Sequence, residues 1–163
     1  MGRKVPESVP VDVRMRRYAA GFVREATARN RLPLDYSVDS LRVVDVIVDG
    51  LRKGGRDRDG VRSVLFGLGV YTGEVLVRRT GAQWFEFDAE QRELFEQPVG
   101  VRMPDGRLWN PLGKVVKRFE AGGEESTLGF YLLMQGRLAA VPEPRRPERP
   151  SRETVRAVRP GGV

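Results

Sequence analysis

The chain has 163 residues, of which 40% are hydrophobic, and it carries a net charge of +7. This length suits one domain with tails. The sequence contains no cysteine and no histidine, which excludes a disulfide framework, a thiolate nucleophile, a zinc ribbon and a Ser-His-Asp triad within the chain.

The excess positive charge lies at the two ends. Residues 1–30 hold seven Lys/Arg and three Asp/Glu, residues 141–163 hold six Arg and three Glu, and residues 31–140 are balanced. Basic ends attract polyanions, but such blocks are also typical of solvated tails. No apolar run approaches the roughly 20 residues that span a bilayer, and no secretory signal is apparent. We therefore expect a cytoplasmic protein without membrane association.

A first helix is predicted from Val11 to near Asn30, after a segment, residues 1–10, that contains two prolines and is expected to be disordered. The apolar positions of this helix fall near helical spacing. They are Val13, Met15, Tyr18, Phe22 and Ala26.

A second helix is predicted after the connector 31–37, with Ser37 as its N-cap and Gly54-Gly55 at its end. Its apolar stripe consists of Leu41, Val44, Ile47, Val48 and Leu51. This stripe places Asp45 and Asp49 on the outer side of the helix.

The stretch from Val61 to Thr80, VRSVLFGLGVYTGEVLVRRT, is apolar on nearly all sides. Such a helix is usually buried with neighbours on several faces, so we expect it to form the centre of one core. Gly67, Gly69 and Gly73 lie within it, but they lack the spacing and the preceding strand of a dinucleotide loop. We expect these glycines to allow close packing, and we predict no cofactor.

The pattern then changes to alternation, and residues 84–87 are predicted to form a strand. Residues 89–97 are ambiguous between a turn of helix and an irregular edge. Residues 98–103 and 107–110 are predicted strands, joined by a tight turn at Pro104-Asp105-Gly106. The three strands are expected to form a small antiparallel sheet.

Two helices are predicted to follow. Asn110-Pro111 provides an N-cap and a proline at the first helical position, and Gly122-Gly123 ends this helix. Glu124-Glu125-Ser126 is expected to open the last helix, whose apolar face consists of Leu128, Tyr131, Leu132 and Leu138. The Pro/Arg-rich tail, residues 141–163, is expected to be disordered.

The predicted fold is α+β. A helical layer of three N-terminal and two C-terminal helices packs on the three-stranded antiparallel sheet. Residues 11–140 would form this single domain.

Glu74 is the one acidic residue in the central helix. A carboxylate in such a position must be paired, hydrogen-bonded or open to a pocket. A structural role, with Arg78, Lys114, Lys117 or Arg118 as partner, is favoured over acid–base catalysis. A small enzyme or ligand-binding domain centred on Glu74, with Tyr71 and a Lys or Arg, is kept as an alternative.

Two tryptophans and a basic helical face are further candidates for binding. Trp84 and Trp109 lie on predicted strands, where they would stack on a ligand or pack in the core. Lys114, Lys117 and Arg118 share one helical face, which would hold an anionic partner or be solvated. The acidic residues lack the spacing of a metal site, so no metal is predicted.

The order of several short motifs resembles a pattern in small bacterial α+β domains, often actinobacterial. The motifs are Tyr71-x-Gly73-Glu74, Trp84, Asn110-Pro111, Lys117-Arg118, Gly123 and Ser126. The resemblance covers roughly residues 35–140. It implies a compact α+β unit and carries no established activity, so no functional residue is transferred.

The leading hypothesis is a non-catalytic domain that binds another protein. Its working surface would be the outer face of the sheet near Trp84, Glu86 and Trp109 together with the helix that carries Lys114 and Arg118. A nucleic-acid-associated protein that uses its basic ends is the first alternative. The Glu74-centred enzyme is the second.

Overall fold

The computed structural model describes residues 8–139, apart from the side chains of residues 30 and 136–139. Within this range the helices are α1 (Val11–Asn30), α2 (Ser40–Lys53), α3 (Arg58–Thr80), α4 (Ala89–Phe95), α5 (Pro111–Ala121) and α6 (Thr127–Ala139). The strands are β1 (Gln83–Glu86), β2 (Val99–Arg102) and β3 (Leu108–Trp109). The predicted α+β fold is confirmed. The expected disorder of residues 1–7 and 141–163 concerns segments outside the described residues.

The central helix is α3, as predicted, although it begins earlier, at Arg58. The carboxylate of Asp57 caps its first turn by accepting from a backbone N–H at 2.8 Å. The helix ends at Gly81, whose φ of +74° is the left-handed conformation that glycine adopts without strain. Every residue from 67 to 76 is buried, because α1, α5 and the sheet all pack on this helix.

By length and composition alone, α3 resembles a membrane-spanning helix. It passes this test because all of its charged residues except Glu74 lie near its two ends. However, 67% of its most apolar window is buried inside the protein. A buried core helix has the same composition.

Three glycines of α3 allow neighbouring elements to approach closely. The pairs are Gly67 with Phe22 of α1, Gly69 with Leu112 of α5, and Gly73 with Trp84 of β1. A Cβ at any of the three positions would overlap its neighbour. The prediction that these glycines serve packing is confirmed.

The sheet is antiparallel with the order β1-β2-β3. Trp84 of β1 lies opposite Val101 of β2, which lies opposite Trp109 of β3. Gly106, with φ of +86°, makes the turn between β2 and β3. The predicted hairpin is confirmed, and β3 shortens to two residues.

The ambiguous segment 89–97 forms the short helix α4. Asp88 and Gln91 make a reciprocal capping box at its start. Phe95 at its end stacks on Phe87, with ring centroids 4.8 Å apart. This contact packs the connection between β1 and β2 against the sheet.

The N-cap of α5 at Asn110 is confirmed, since its side chain accepts from Gly113 N at 2.9 Å. Two other helices begin later than predicted, α2 by two residues and α6 by three. α2 begins at Ser40, whose backbone N–H donates to Ser37 Oγ at 3.1 Å. α6 begins at Thr127, because residues 123–125 form a separate 3-10 turn.

The later start of α6 changes its buried face. The row Thr127, Tyr131 and Met134 is buried. Leu132, predicted to face the core, is 55% exposed, because it lies outside this row. Leu138 is outside the described side chains. Among the apolar residues that predicted α1, Met15 is buried and Tyr18 is 42% exposed.

Candidate functional site

Glu74 is enclosed by its own helix and by β1. Its side chain is only 3% exposed. Oε1 accepts from Nε of Arg78 at 3.1 Å, and Oε2 accepts from Nε1 of Trp84 at 3.0 Å. A carboxylate inside a protein is stable only when its oxygens are satisfied in this way. Arg78 was one of the predicted alternatives, whereas Trp84 was not foreseen as a partner.

Tyr71 lies almost one turn before Glu74 and is fully buried. Its Oη accepts from the backbone N–H of Tyr36 at 2.9 Å and lies 2.6 Å from Oγ of Ser40. Since Ser40 Oγ donates to the carbonyl of Ser37, Tyr71 Oη donates to Ser40. Burial raises the pKa of Tyr71. The phenol is therefore a neutral hydrogen-bonding group that fastens the α1–α2 connector to α3.

Tyr36 connects the contacts of Tyr71 with those of Glu74. Its φ of +61° is rare for a residue other than glycine. The guanidinium carbon of Arg78 lies 3.6 Å from the centre of its ring, and Nε of Arg79 donates to its carbonyl at 3.1 Å. The contacts hold this strained conformation in place. Burial raises the pKa of Tyr36 as well.

Ser40, Tyr71, Tyr36, Arg78, Glu74 and Trp84 thus form one continuous chain of contacts, which we call the α3 polar network. The network connects the α1–α2 connector, α3 and β1. Neither Glu74 nor Tyr71 lines the cleft between α1, α2 and α3, the cleft between α3 and α5, or the cleft beside the end of α2. A substrate would reach the Glu74 carboxylate only by displacing Arg78 or Trp84. The geometry is that of a structural network.

The prediction that Trp84 lies on the outer face of the sheet is wrong. This side chain is buried against α3, because Gly73 leaves room for its ring. Trp109 is half-buried, with its ring edge-on to Phe130 of α6 at 5.2 Å between centroids. Glu86 is exposed and pairs with Arg14 of α1. The two tryptophans therefore do not share one solvent-facing surface.

The predicted basic face of α5 is also wrong in part. Arg118 is only 6% exposed, because Asp49 of α2 accepts from its Nη2 at 2.7 Å and the carbonyl of Gly123 accepts from its Nη1 at 2.8 Å. Lys114 is half-buried and donates to Glu125, which holds the pKa of that carboxyl below its usual range. Lys117 remains exposed. A binding role for these residues stays a prediction.

A second polar junction, which the sequence analysis missed, connects α2 to α6. Asp45 was placed on the outer side of α2, but it is buried. Oδ1 accepts from the backbone N–H of Thr127 at 2.9 Å and from its hydroxyl at 2.8 Å, and Oδ2 accepts from Ser126 Oγ at 2.7 Å. Asp45 thus caps the N-terminus of α6 from another helix. The sequence signal for this burial is that Asp45 lies beside the apolar stripe of α2. Its hydrogen-bond partners could not be identified, because they are remote in sequence.

An open cleft of about 510 Å³ lies between α1, α2 and α3, and we call it the three-helix cleft. Its apolar lining consists of Tyr18, Phe22, Ala26, Ile47 and Val64. The first three form one row of α1 at spacings of four residues. This row is part of the apolar pattern from which α1 was predicted. In the structure, the row lines the cleft.

The rim of the three-helix cleft is charged. It is formed along α1 by a second row, Arg17, Gly21, Glu25 and Arg29. Glu25 pairs with Arg29 at 2.8 Å. Arg17 has no ion-pair partner among residues 8–139. The cleft therefore combines an apolar floor with a rim of net positive charge.

The part of the chain described by the structure contains no group of three or more His, Cys, Asp or Glu side chains that could hold a metal ion. No protein-family model matches the chain, and no curated protein or solved structure matches it either. The resemblance to small bacterial domains therefore stays a prediction.

Proposed function

We propose that the protein is a non-catalytic, cytoplasmic domain that binds another protein, and that the three-helix cleft receives a helix of that partner. The observation that carries the proposal is the apolar lining of the cleft. Tyr18 is 42% exposed there although it belongs to a row of apolar residues. Grooves between helices bind amphipathic helices through such rows. The volume is also within the range of ligand-binding clefts.

This proposal moves the working surface away from the sheet. Trp84 and Arg118, which the sequence analysis placed on that surface, are buried in structural contacts. The cleft offers accessible apolar area, and accessible apolar area in a polar rim is typical of interaction sites. Protein binding is thus retained as the leading function with a different surface.

The Glu74-centred enzyme receives no support from the geometry. Both carboxylate oxygens of Glu74 are engaged, and Tyr71 is occupied with backbone and serine contacts. A general acid or base must come within hydrogen-bond reach of its substrate. The α3 polar network supports a role in folding instead.

The test compares proteins captured from a cell extract by three forms of the chain. Ile47→Arg places a charge in the three-helix cleft. Val46→Arg makes the same change one residue away, at a position that is 65% exposed and does not line the cleft. We expect a partner that is captured by wild type and Val46→Arg and is lost with Ile47→Arg. Capture of the same proteins by all three forms would overturn the proposal.

A second variant guards against loss of structure in Ile47→Arg. Tyr18→Ala shortens an exposed cleft residue, so we expect it to fold and to weaken capture of the same partner. Circular dichroism and thermal unfolding of each variant establish that the fold is retained. Retained folding with undiminished capture in both cleft variants would also contradict the proposal.

Nucleic-acid binding remains an alternative with one supporting observation. α1 carries five arginines and two carboxylates, a net charge of +3. If this charge and the basic ends bind DNA or RNA, affinity should fall steeply with salt, because phosphate contacts release counterions. Deleting residues 1–10 and 141–163 should then weaken binding. A salt-independent or absent interaction would exclude this alternative.

A further inference from the structure

We propose that the helix received by the three-helix cleft is an acidic amphipathic helix that contacts α1 over about three turns. This inference rests on the proposed function and adds the chemistry of the partner. Three observations support it: the length of the α1 wall, which is the side of the cleft formed by α1, the charge of the rim, and the charge of the other possible occupants.

The α1 wall sets the length of the contact. The cleft-lining residues of α1 extend from Arg17 to Arg29. Twelve residue steps of a helix cover about 18 Å, or rather more than three turns. A partner helix lying along this wall would present apolar residues at i, i+3, i+4 and i+7 to the floor.

The charge of the rim determines which charged residues the partner helix should carry beside its apolar stripe. Arg29 is paired with Glu25, so this pair contributes little net charge. Arg17 has no carboxylate partner among the described residues. Glutamate or aspartate beside the apolar stripe of the partner would be attracted, and lysine or arginine would be repelled.

The positive charge of the rim also disfavours two other occupants of the cleft, namely the chain's own C-terminal segment and a second copy of the protein. Residues 141–163 carry six arginines against three glutamates, so the rim repels the chain's own C-terminal segment. A second copy would bring another α1 of charge +3 to the same rim. The phosphates of a nucleic acid could contact the rim but not the apolar floor, which disfavours a nucleic acid in the cleft.

The experiment uses two fluorescent peptides of about 18 residues, each with the same leucine stripe. One has glutamate flanks and the other has lysine flanks. Binding to the full chain is measured by fluorescence anisotropy at low salt. We expect the acidic peptide to bind about tenfold more tightly than the basic one.

Two variants with the same change in net charge locate the contact. Arg17→Glu, at the rim, should weaken binding of the acidic peptide about threefold or more. Arg24→Glu, on α1 but outside the cleft lining, should leave it nearly unchanged. Ile47→Arg should abolish binding of either peptide, since it obstructs the floor.

The inference is overturned if the two peptides bind equally, if neither binds wild type, or if Arg24→Glu weakens binding as much as Arg17→Glu. Equal binding that is lost in Ile47→Arg would leave the proposed function intact and reject only the acidic partner. Binding of a DNA oligonucleotide that is lost in Ile47→Arg would reject both in favour of a nucleic-acid site. Capture of a cleft-dependent partner decides the proposed function separately.

Discussion

The indole of Trp84 donates from Nε1 to Oε2 of Glu74 at 3.0 Å, while the six-membered part of the same ring lies on Gly73. Two consecutive residues of α3 therefore determine where β1 attaches. One supplies the acceptor that orients the ring, and the other leaves the space that the ring fills. The first two predictions test these two contributions separately.

Replacing Glu74 with glutamine should lower the free energy of unfolding by about 1–3 kcal/mol. The amide has one oxygen for two donors, and its NH2 group would face either Arg78 or the indole. Denaturant titration of wild type and variant measures the difference. Glu86→Gln, at an exposed ion pair with Arg14, is the matched control and should change stability by less than about 1 kcal/mol. Equal effects of the two changes would contradict a structural role for Glu74.

Replacing Gly73 with alanine should destabilise the fold by about 1–3 kcal/mol, because the new methyl group would overlap the Trp84 ring. Gly50→Ala in α2 is the control. No atom lies within 4 Å of a Cβ at that position, so alanine should stabilise the helix by about 0.5–1 kcal/mol. Thermal unfolding of both variants gives the comparison. If both changes shift the melting temperature in the same direction, the close approach of Trp84 is not a constraint.

Replacing Asp45 with alanine should loosen α6 in particular. Thr127 N–H and Ser126 Oγ would lose their acceptor, and Thr127 Oγ1 would keep only the carbonyl of Leu41, which should cost about 2–3 kcal/mol. Hydrogen exchange should show reduced protection of α6 amides before that of α3 amides. Asp39→Ala, at the exposed start of α2, should leave α6 protection unchanged. Uniform loss of protection across both helices would contradict a specific cap.

The buried phenol of Tyr71 predicts a loss of stability at alkaline pH. Burial raises its pKa above the ordinary value of 10.0, so the native state holds this proton more tightly than the unfolded chain does. The stabilisation is fully present below the unfolded pKa and is lost as the pH rises through the folded pKa. Tyr71→Phe should therefore show a smaller decrease in unfolding free energy than wild type above about pH 10.

Denaturant titrations at successive pH values measure this difference. At neutral pH the same variant should be less stable by about 1–2 kcal/mol, because Tyr36 N–H loses its acceptor. Tyr18→Phe, which removes an exposed hydroxyl, should retain the wild-type dependence on pH. Parallel pH profiles for wild type and Tyr71→Phe would contradict the prediction.

Elements that depend on neighbouring residues could be predicted from the sequence. Asn110-Pro111 starts α5, and the turn around Gly106 joins two strands, because caps and turns are decided within a few residues. The burial of α3 followed from its apolar character on all sides. These signals are sufficient for the α+β fold and for most element boundaries.

Polar residues whose partners lie far along the chain could not be placed. Asp45 pairs with Thr127, 82 residues away, and Arg118 pairs with Asp49, 69 residues away. Both residues look solvated in a helical pattern, because charge predicts exposure unless a partner is known. The three-helix cleft was missed for a related reason. An apolar row on α1 is the same in sequence whether another helix covers it or leaves it open.

The three packing glycines of α3 also make the length of this helix between residues 67 and 73 invariable. Successive residues of a helix point about 100° apart, so the spacing of Gly67, Gly69 and Gly73 sets the angles at which α1, α5 and β1 meet α3. One inserted residue would turn the second half of the helix by about 100° and carry Gly73 away from Trp84. We therefore expect the fold to tolerate an inserted residue in the connectors and not in this stretch.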